Sequence, residues 1–203
     1  MTENACRPAE GCLPTSIETL VTFLEMTGPP RAPALPPPCA GLEVRRARSP
    51  TVSFYRYLYG TIGADWTWVM RQLLSDDELR QILEDPAVEV NVLWFDGVPA
   101  GLAELDRREK PDIELAYFGL MPDFIGQGLG RWLLDWAIRH AWRAAPRRLW
   151  VHTCDLDHPR ALRVYEKSGF RVYDRRIEQL RLPDGMRPPE RPGSGIESPC
   201  ESS

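Results

Sequence analysis

Gly126, Gly128 and Gly130 alternate within Ile125-Gly-Gln-Gly-Leu-Gly130, between the apolar run Ile113 to Leu120 and the segment Arg131-Trp-Leu-Leu-Asp-Trp-Ala-Ile138. An apolar strand, a glycine turn and an amphipathic helix in that order make an anion cradle. The first four N–H groups of a helix have no partner inside it and carry the positive end of its dipole. A phosphate placed there gains several charge-assisted hydrogen bonds without needing a basic side chain. Glycine lets the backbone approach such a ligand and reach φ > 0, where a Cβ would clash. These residues therefore suit the holding of a nucleotide-like ligand by its phosphates.

Two familiar phosphate cradles do not fit. A dinucleotide fold wants Gly-x-Gly-x-x-Gly early in a βαβ unit with an acidic residue about 20 positions on. Here the spacing is Gly-x-Gly-x-Gly, late in the chain. A P-loop wants Gly-Lys-Ser/Thr at the helix start, and this chain has Gly130-Arg131-Trp132.

A second segment, His158-Pro-Arg-Ala161-Leu-Arg-Val-Tyr165-Glu-Lys167-Ser-Gly169-Phe170, follows the glycine turn after one helix and one strand. The two together resemble the GNAT superfamily of acetyl-CoA-dependent N-acetyltransferases. That family carries Arg/Gln-x-x-Gly-x-Gly/Ala, then Asn-x-x-Ala-x-x-x-Tyr-x-x-x-Gly-Phe. The resemblance covers about Leu42 to Arg181, with weaker support for a first strand around Leu20 to Met26. It implies acetyl-CoA as cosubstrate, with its pyrophosphate on Ile125, Gly126, Gln127, Gly128, Leu129, Gly130 and Arg131. It also implies that backbone near Leu120 and Met121 meets the pantetheine and the oxyanion; Pro122 has no N–H to offer. Two positions depart from the pattern. Ile125 replaces the leading Arg/Gln, so the backbone amides carry more of the phosphate contact. His158 replaces the Asn, and is expected to touch the cofactor or to cap the helix bearing Tyr165.

Direct acyl transfer from a thioester to an amine needs a proton acceptor, a polarised carbonyl and a donor for the departing thiolate. Glu114, at the start of the strand feeding the glycine turn, matches the position where several family members keep a glutamate base. It also alternates with Ile113 and Leu115, as a solvent-facing strand residue would. Glu104 is the alternative base. Tyr165, a phenol with an ordinary pKa near 10, matches the family's proton donor to the thiolate. The run His152-Thr-Cys154-Asp155-Leu-Asp157-His158 gathers metal-ligating types, but without zinc spacing, so no metal is expected. Tyr55 and Tyr59, four residues apart, are read as part of an acceptor pocket.

The elements that position these residues follow from pattern. Strands are expected at Leu42 to Arg46, Val88 to Phe95, Ala100 to Asp106, Ile113 to Leu120, Arg148 to Thr153 and Phe170 to Leu180. Asp96-Gly97 signals a hairpin between the second and third of these. Helices are expected at Val52 to Gly60 and Trp66 to Leu74, separately or as one bent helical region, and at Asp76 to Leu83, Gly128 to Ala145 and Pro159 to Ser168. Ser75-Asp-Asp-Glu78 is a capping box for the third helix, and Gly169 closes the last. The fold class is α/β (α+β): a mixed, mostly antiparallel central sheet with helices on both faces, as the resemblance also implies.

At 203 residues the chain fits one domain, expected over residues 15–182. Met1 to Pro14 and the Pro-, Gly- and Ser-rich stretch from Pro183 lack apolar periodicity and read as loose tails. Gly28 to Ala40, with its prolines, reads as an extended linker. A formal charge of −4 gives no case for nucleic-acid binding, and no apolar run is long enough to span a membrane. The five cysteines are odd in number and lack metal spacing, which suits reduced thiols in a cytoplasmic protein. The expected partners are acetyl-CoA and an amine acceptor, with a monomer or homodimer as assembly. A non-catalytic acyl-CoA-binding module is the alternative.

Overall fold

The computed structural model describes residues 15–187, so the expected loose N-terminus and most of the expected C-terminal tail lie outside the described residues. In chain order the elements are β1 (Ser16–Met26), β2 (Leu42–Ala47), α1 (Val52–Gly63), α2 (Asp76–Glu84), β3 (Val88–Phe95) and β4 (Val98–Asp106). They continue with β5 (Ile113–Leu120), α3 (Leu129–Trp142), β6 (Leu149–Cys154), α4 (Ala161–Lys167) and β7 (Arg171–Arg181). The strands form one sheet in the order β2-β3-β4-β5-β6-β1-β7. Every neighbouring pair is antiparallel except β5 and β6.

Each face of the sheet has its own core, which is why β3 and β4 are buried almost throughout. Leu93, Ala103, Leu105, Leu115 and Val151 pack with Leu133, Leu134, Ala137 and Ile138 of α3 and with Tyr165 of α4. Val90, Val92 and Leu102 pack with Tyr55, Leu58 and Ile62 of α1 and with Leu79 and Leu83 of α2. The helices commit one face each because their apolar residues recur at helical spacing. The Ser75 capping box is present in both directions and starts α2 at the residue the sequence indicates. Among the described residues no helix is long and apolar enough to cross a membrane.

Three sequence expectations are revised. Trp66 to Leu74 is not a helix: a short 3-10 turn over Ala64–Trp66 ends at left-handed Thr67, and an irregular segment follows. Trp68 folds back onto α1, where a Cβ on Gly63 would lie 2.2 Å from the Trp68 Cβ, and Arg71 turns inward to Glu104. The Pro-rich stretch is extended, as read, but docked: Leu35 N donates to Asp135 Oδ2 and Arg139 Nη2 donates to Ala32 O. α3 is also shorter than expected at its end, stopping at Trp142 before left-handed Ala145.

Candidate active site

β5 and β6 are paired only through Ile113↔Leu149 and Glu114↔Trp150. Beyond that point they part, and a cavity of about 890 Å³ opens between them. The parting has a local cause. The β4–β5 register shifts between Glu104↔Tyr117 and Leu105↔Leu115, so Ala116 is an extra residue that bulges the strand. Leu115 to Leu120 on one side and Val151, His152 and Cys154 on the other face the opening.

The glycine turn closes one end of this cavity. Gly126 and Gly128 have φ of 89° and 81°, so both need glycine for their dihedrals. A Cβ at Gly126 would meet nothing within 4 Å, and one at Gly128 only Pro38 Cβ at 3.9 Å, so crowding by the protein is not the reason. Gly128 stands immediately before α3, and Ile125, Gly126, Gly128, Gly130 and Arg131 all line the cavity. Ile125 is half exposed there (48%). Leu129 is fully buried, which leaves it only its main chain to offer a ligand. Gln127 points elsewhere: its Nε2 donates to Asp123 O at 3.0 Å and it does not line the cavity.

Leu120 lines the cavity and Met121 does not. The Met121 amide donates to Ala100 O at 2.9 Å and its side chain packs in the α1/α2 core. That amide is therefore already committed, because β4 takes it as the last rung of the β4–β5 ladder.

The candidate catalytic side chains fall in three settings. Tyr165 is buried (7% exposed), lines the cavity, and meets Phe118 and Phe170 edge-on. Burial first, and the charge of Asp157 second, push its hydroxyl pKa up, so the phenol holds its proton at neutral pH. Glu114 does not line the large cavity. It lies in a neighbouring smaller one beside Asp106, Asp112 and Trp150, and its Oε1 is 3.1 Å from His152 Nδ1. His152 does line the large cavity. Burial by itself would lower the His152 pKa, but the Glu114 hydrogen bond and the charges of Glu114, Asp157 and Glu178 raise it overall. Glu104 is fully buried, receiving Tyr55 OH at 2.5 Å and Arg71 Nη2 at 2.6 Å, and it lines neither cavity. Tyr55 is sealed in with it, whereas Tyr59 reaches the cavity wall.

His158 lines the cavity, packs against Trp66 at 4.8 Å between ring centroids, and accepts the Arg160 N–H on Nδ1 at 3.0 Å. It thus secures the approach to α4. The run His152 to His158 makes no metal cage, and among the described residues no group of three or more His, Cys, Asp or Glu could hold a metal ion. Cys154 lines the cavity as a thiol, pushed up to about 11 by burial and by Asp157.

The profile described as the Acetyltransferase (GNAT) family matches residues 47–170, more than half of the chain. The chain belongs to the GNAT acetyltransferase family. An uncharacterized N-acetyltransferase of Mycobacterium bovis is 29% identical over 107 residues, which cover 53% of this chain and 68% of that protein. The fold is shared with a solved GCN5-related N-acetyltransferase from Kribbella flavida (19% identity, TM-score 0.56), covering 84% of this chain and 61% of that one. This chain therefore spans less than two thirds of that protein. A GNAT family acetyltransferase from Elizabethkingia anophelis, solved with acetyl-CoA bound, is 19% identical with a TM-score of 0.50, covering 67% of this chain and 80% of that one.

The family match stops short of β1 and β7. Yet β1 sits between β6 and β7, and both strands supply cavity residues of this GNAT protein: Thr19 and Val21 from β1, Glu178 from β7. Sequence reasoning missed His152 as a partner of Glu114. The two are 38 positions apart, and only the parallel β5–β6 start, which pairs Glu114 with Trp150, brings them together. Trp68, which the resemblance places among the aromatics of an acceptor pocket, lines the cavity, and its Nε1 is 3.4 Å from Asp157 Oδ1.

Proposed function

We propose that the protein transfers an acetyl group from acetyl-CoA directly to a primary amine while both are bound. The observation that carries this reading is the shared cavity. One opening holds a glycine turn shaped for phosphates at its end, two parted strands along its length, and Tyr165 and His152 on its walls. Membership of the family and the acetyl-CoA held by the Elizabethkingia anophelis relative support the choice of cosubstrate.

In this reading the main chain of Gly126 to Arg131 holds the pyrophosphate, and the cavity-facing edge of β5 up to Leu120 guides the pantetheine. The acceptor enters as an ammonium. His152, oriented by Glu114, takes its proton, and the freed nitrogen attacks the thioester carbonyl carbon. The C–N bond forms, the C–S bond breaks, Tyr165 donates its proton to the departing thiolate, and the second proton shed by the new amide nitrogen restores the Tyr165 phenol. Two features of this chain suit those roles. A histidine raised by a carboxylate partner is a stronger base than an unpaired imidazole. A buried tyrosine keeps its proton until a strong base appears beside it.

The deciding experiment combines titration calorimetry of acetyl-CoA with thiol release across an amine panel. Binding with amine-dependent thiol release is expected. Binding without release from any amine would make the protein an acyl-CoA-binding module, and no binding heat at millimolar acetyl-CoA would end the proposal.

A further inference from the structure

We infer that the acceptor is an amine on an apolar or aromatic body that carries no carboxylate or phosphate of its own; this rests on the acetyl-transfer reading above. The cavity lining is divided by charge. Its lysine and arginines are Arg131 in the first turn of α3, Arg160 at the start of α4 and Lys167 in its last turn. All three come from α3 or from α4 and its N-cap.

The opposite end is built differently. Tyr59, Trp68 and Tyr117 form one corner, with ring centroids 5.3 Å apart for Tyr59–Trp68, 4.9 Å for Tyr59–Tyr117 and 5.3 Å for Trp68–Tyr117. Beside that corner lies a carboxylate, Asp157, with Oδ1 3.4 Å from Trp68 Nε1. Glu178 of β7 adds a second carboxylate to the lining. The lining residues of α1, of Trp66 to Met70, of β5 and of β7 include no lysine or arginine, and Arg160 enters the lining from the loop that follows Asp157. Behind the wall, the Arg71 guanidinium lies over Tyr117 but is spent on Glu104. Arg176, which reaches Glu178 at 3.5 Å and covers Phe23, is likewise outside the lining.

An ammonium is favoured at such an end, because aromatic faces and carboxylates both attract a cation. An acceptor carboxylate would lose its water there, find no cation, and face Asp157 and Glu178. Burying an unpaired charge is costly, so free amino acids are rejected by what the pocket lacks. The apolar body of the amine replaces water against Tyr59, Ile62, Val69 and Met70.

The test uses matched pairs of acceptors with the full-length protein: 2-phenylethylamine against phenylalanine, and isopentylamine against leucine. Thiol release gives kcat/KM for each, and calorimetry of acetyl-CoA is run alongside. The expected result is at least about tenfold higher kcat/KM for each amine than for its carboxylated partner, as like-charge exclusion of 1.4 kcal/mol would give. Exchanging exposed Glu178 for Lys (Glu178→Lys) should narrow that ratio. Equal or better use of the amino acids overturns the inference, as does failure to use either plain amine while acetyl-CoA binds. Absence of acetyl-CoA binding instead removes the acetyl-transfer reading itself.

Discussion

Glu114 Oε1 lies 3.1 Å from His152 Nδ1 at the point where β5 and β6 separate. Glu114 belongs to the smaller cavity and His152 to the larger, so the contact joins a carboxylate outside the large cavity to an imidazole on its wall. The pair assigns different tasks to its members. In the proposed mechanism His152 exchanges the proton, while Glu114 sets the ring's orientation and basicity.

The first prediction follows from that division. His152→Ala should lower kcat/KM at neutral pH by roughly 10²- to 10⁴-fold, the usual worth of a positioned base. Glu114→Gln should do less at neutral pH but move the acid limb of the pH–rate profile. Because Glu114 raises the His152 pKa, its loss shifts that limb to lower pH. An acid limb that stays in place in Glu114→Gln, or a His152→Ala enzyme with full activity, would put the base elsewhere.

Gly128 offers a test of the phosphate cradle that does not depend on turnover. Its φ of 81° is strained for any residue with a Cβ, at a cost of about 1–3 kcal/mol. In Gly128→Val a branched side chain would also stand at the lip of the cavity, where the phosphates are proposed to sit. Acetyl-CoA affinity measured by calorimetry should fall by roughly 10- to 100-fold or more, the equivalent of that strain and the lost contacts. Gly60 in α1 has open space at its Cβ position and no left-handed φ, so Gly60→Ala is the control and should leave affinity unchanged. Equal affinity in Gly128→Val and the parent would remove the cradle from this turn.

Tyr165→Phe separates chemistry from packing. The ring meets Phe118 and Phe170, contacts that phenylalanine keeps, and only the hydroxyl is lost. If the hydroxyl protonates the thiolate, kcat should drop by about 10- to 100-fold with little change in acetyl-CoA affinity, since the contact matters late in the reaction. Equal turnover in parent and variant would leave Tyr165 a packing residue.

Much of this was readable from local pattern, because local pattern decides it. The glycine turn needs φ > 0 at Gly126 and Gly128, and glycine at alternate positions states that need directly. The strand Ile113–Leu120 and the α2 capping box are likewise set by neighbours in sequence. The misses are long-range. The Met121 amide is taken by Ala100, Trp68 is drawn back onto Gly63, and Glu114 meets His152 only through β5–β6 pairing. The family resemblance pointed to a glutamate at position 114, but no residue pattern says which histidine will lie beside it.

Glu104 and Glu114 both read as candidate bases from sequence, and the structure makes them separable by experiment. Glu104 is fully buried between Arg71 and Tyr55, and Arg71 Nε is already without a hydrogen-bond partner among the described residues. Removing the carboxylate in Glu104→Ala leaves a buried guanidinium uncompensated, which should cost about 3–5 kcal/mol of stability. Denaturant unfolding should report that loss. At a temperature where the variant remains folded, the acid limb of its pH–rate profile should match the parent's, because the His152–Glu114 pair is untouched. The opposite pattern, unchanged stability with the acid limb abolished, would make Glu104 the base and reduce Glu114 to a strand residue.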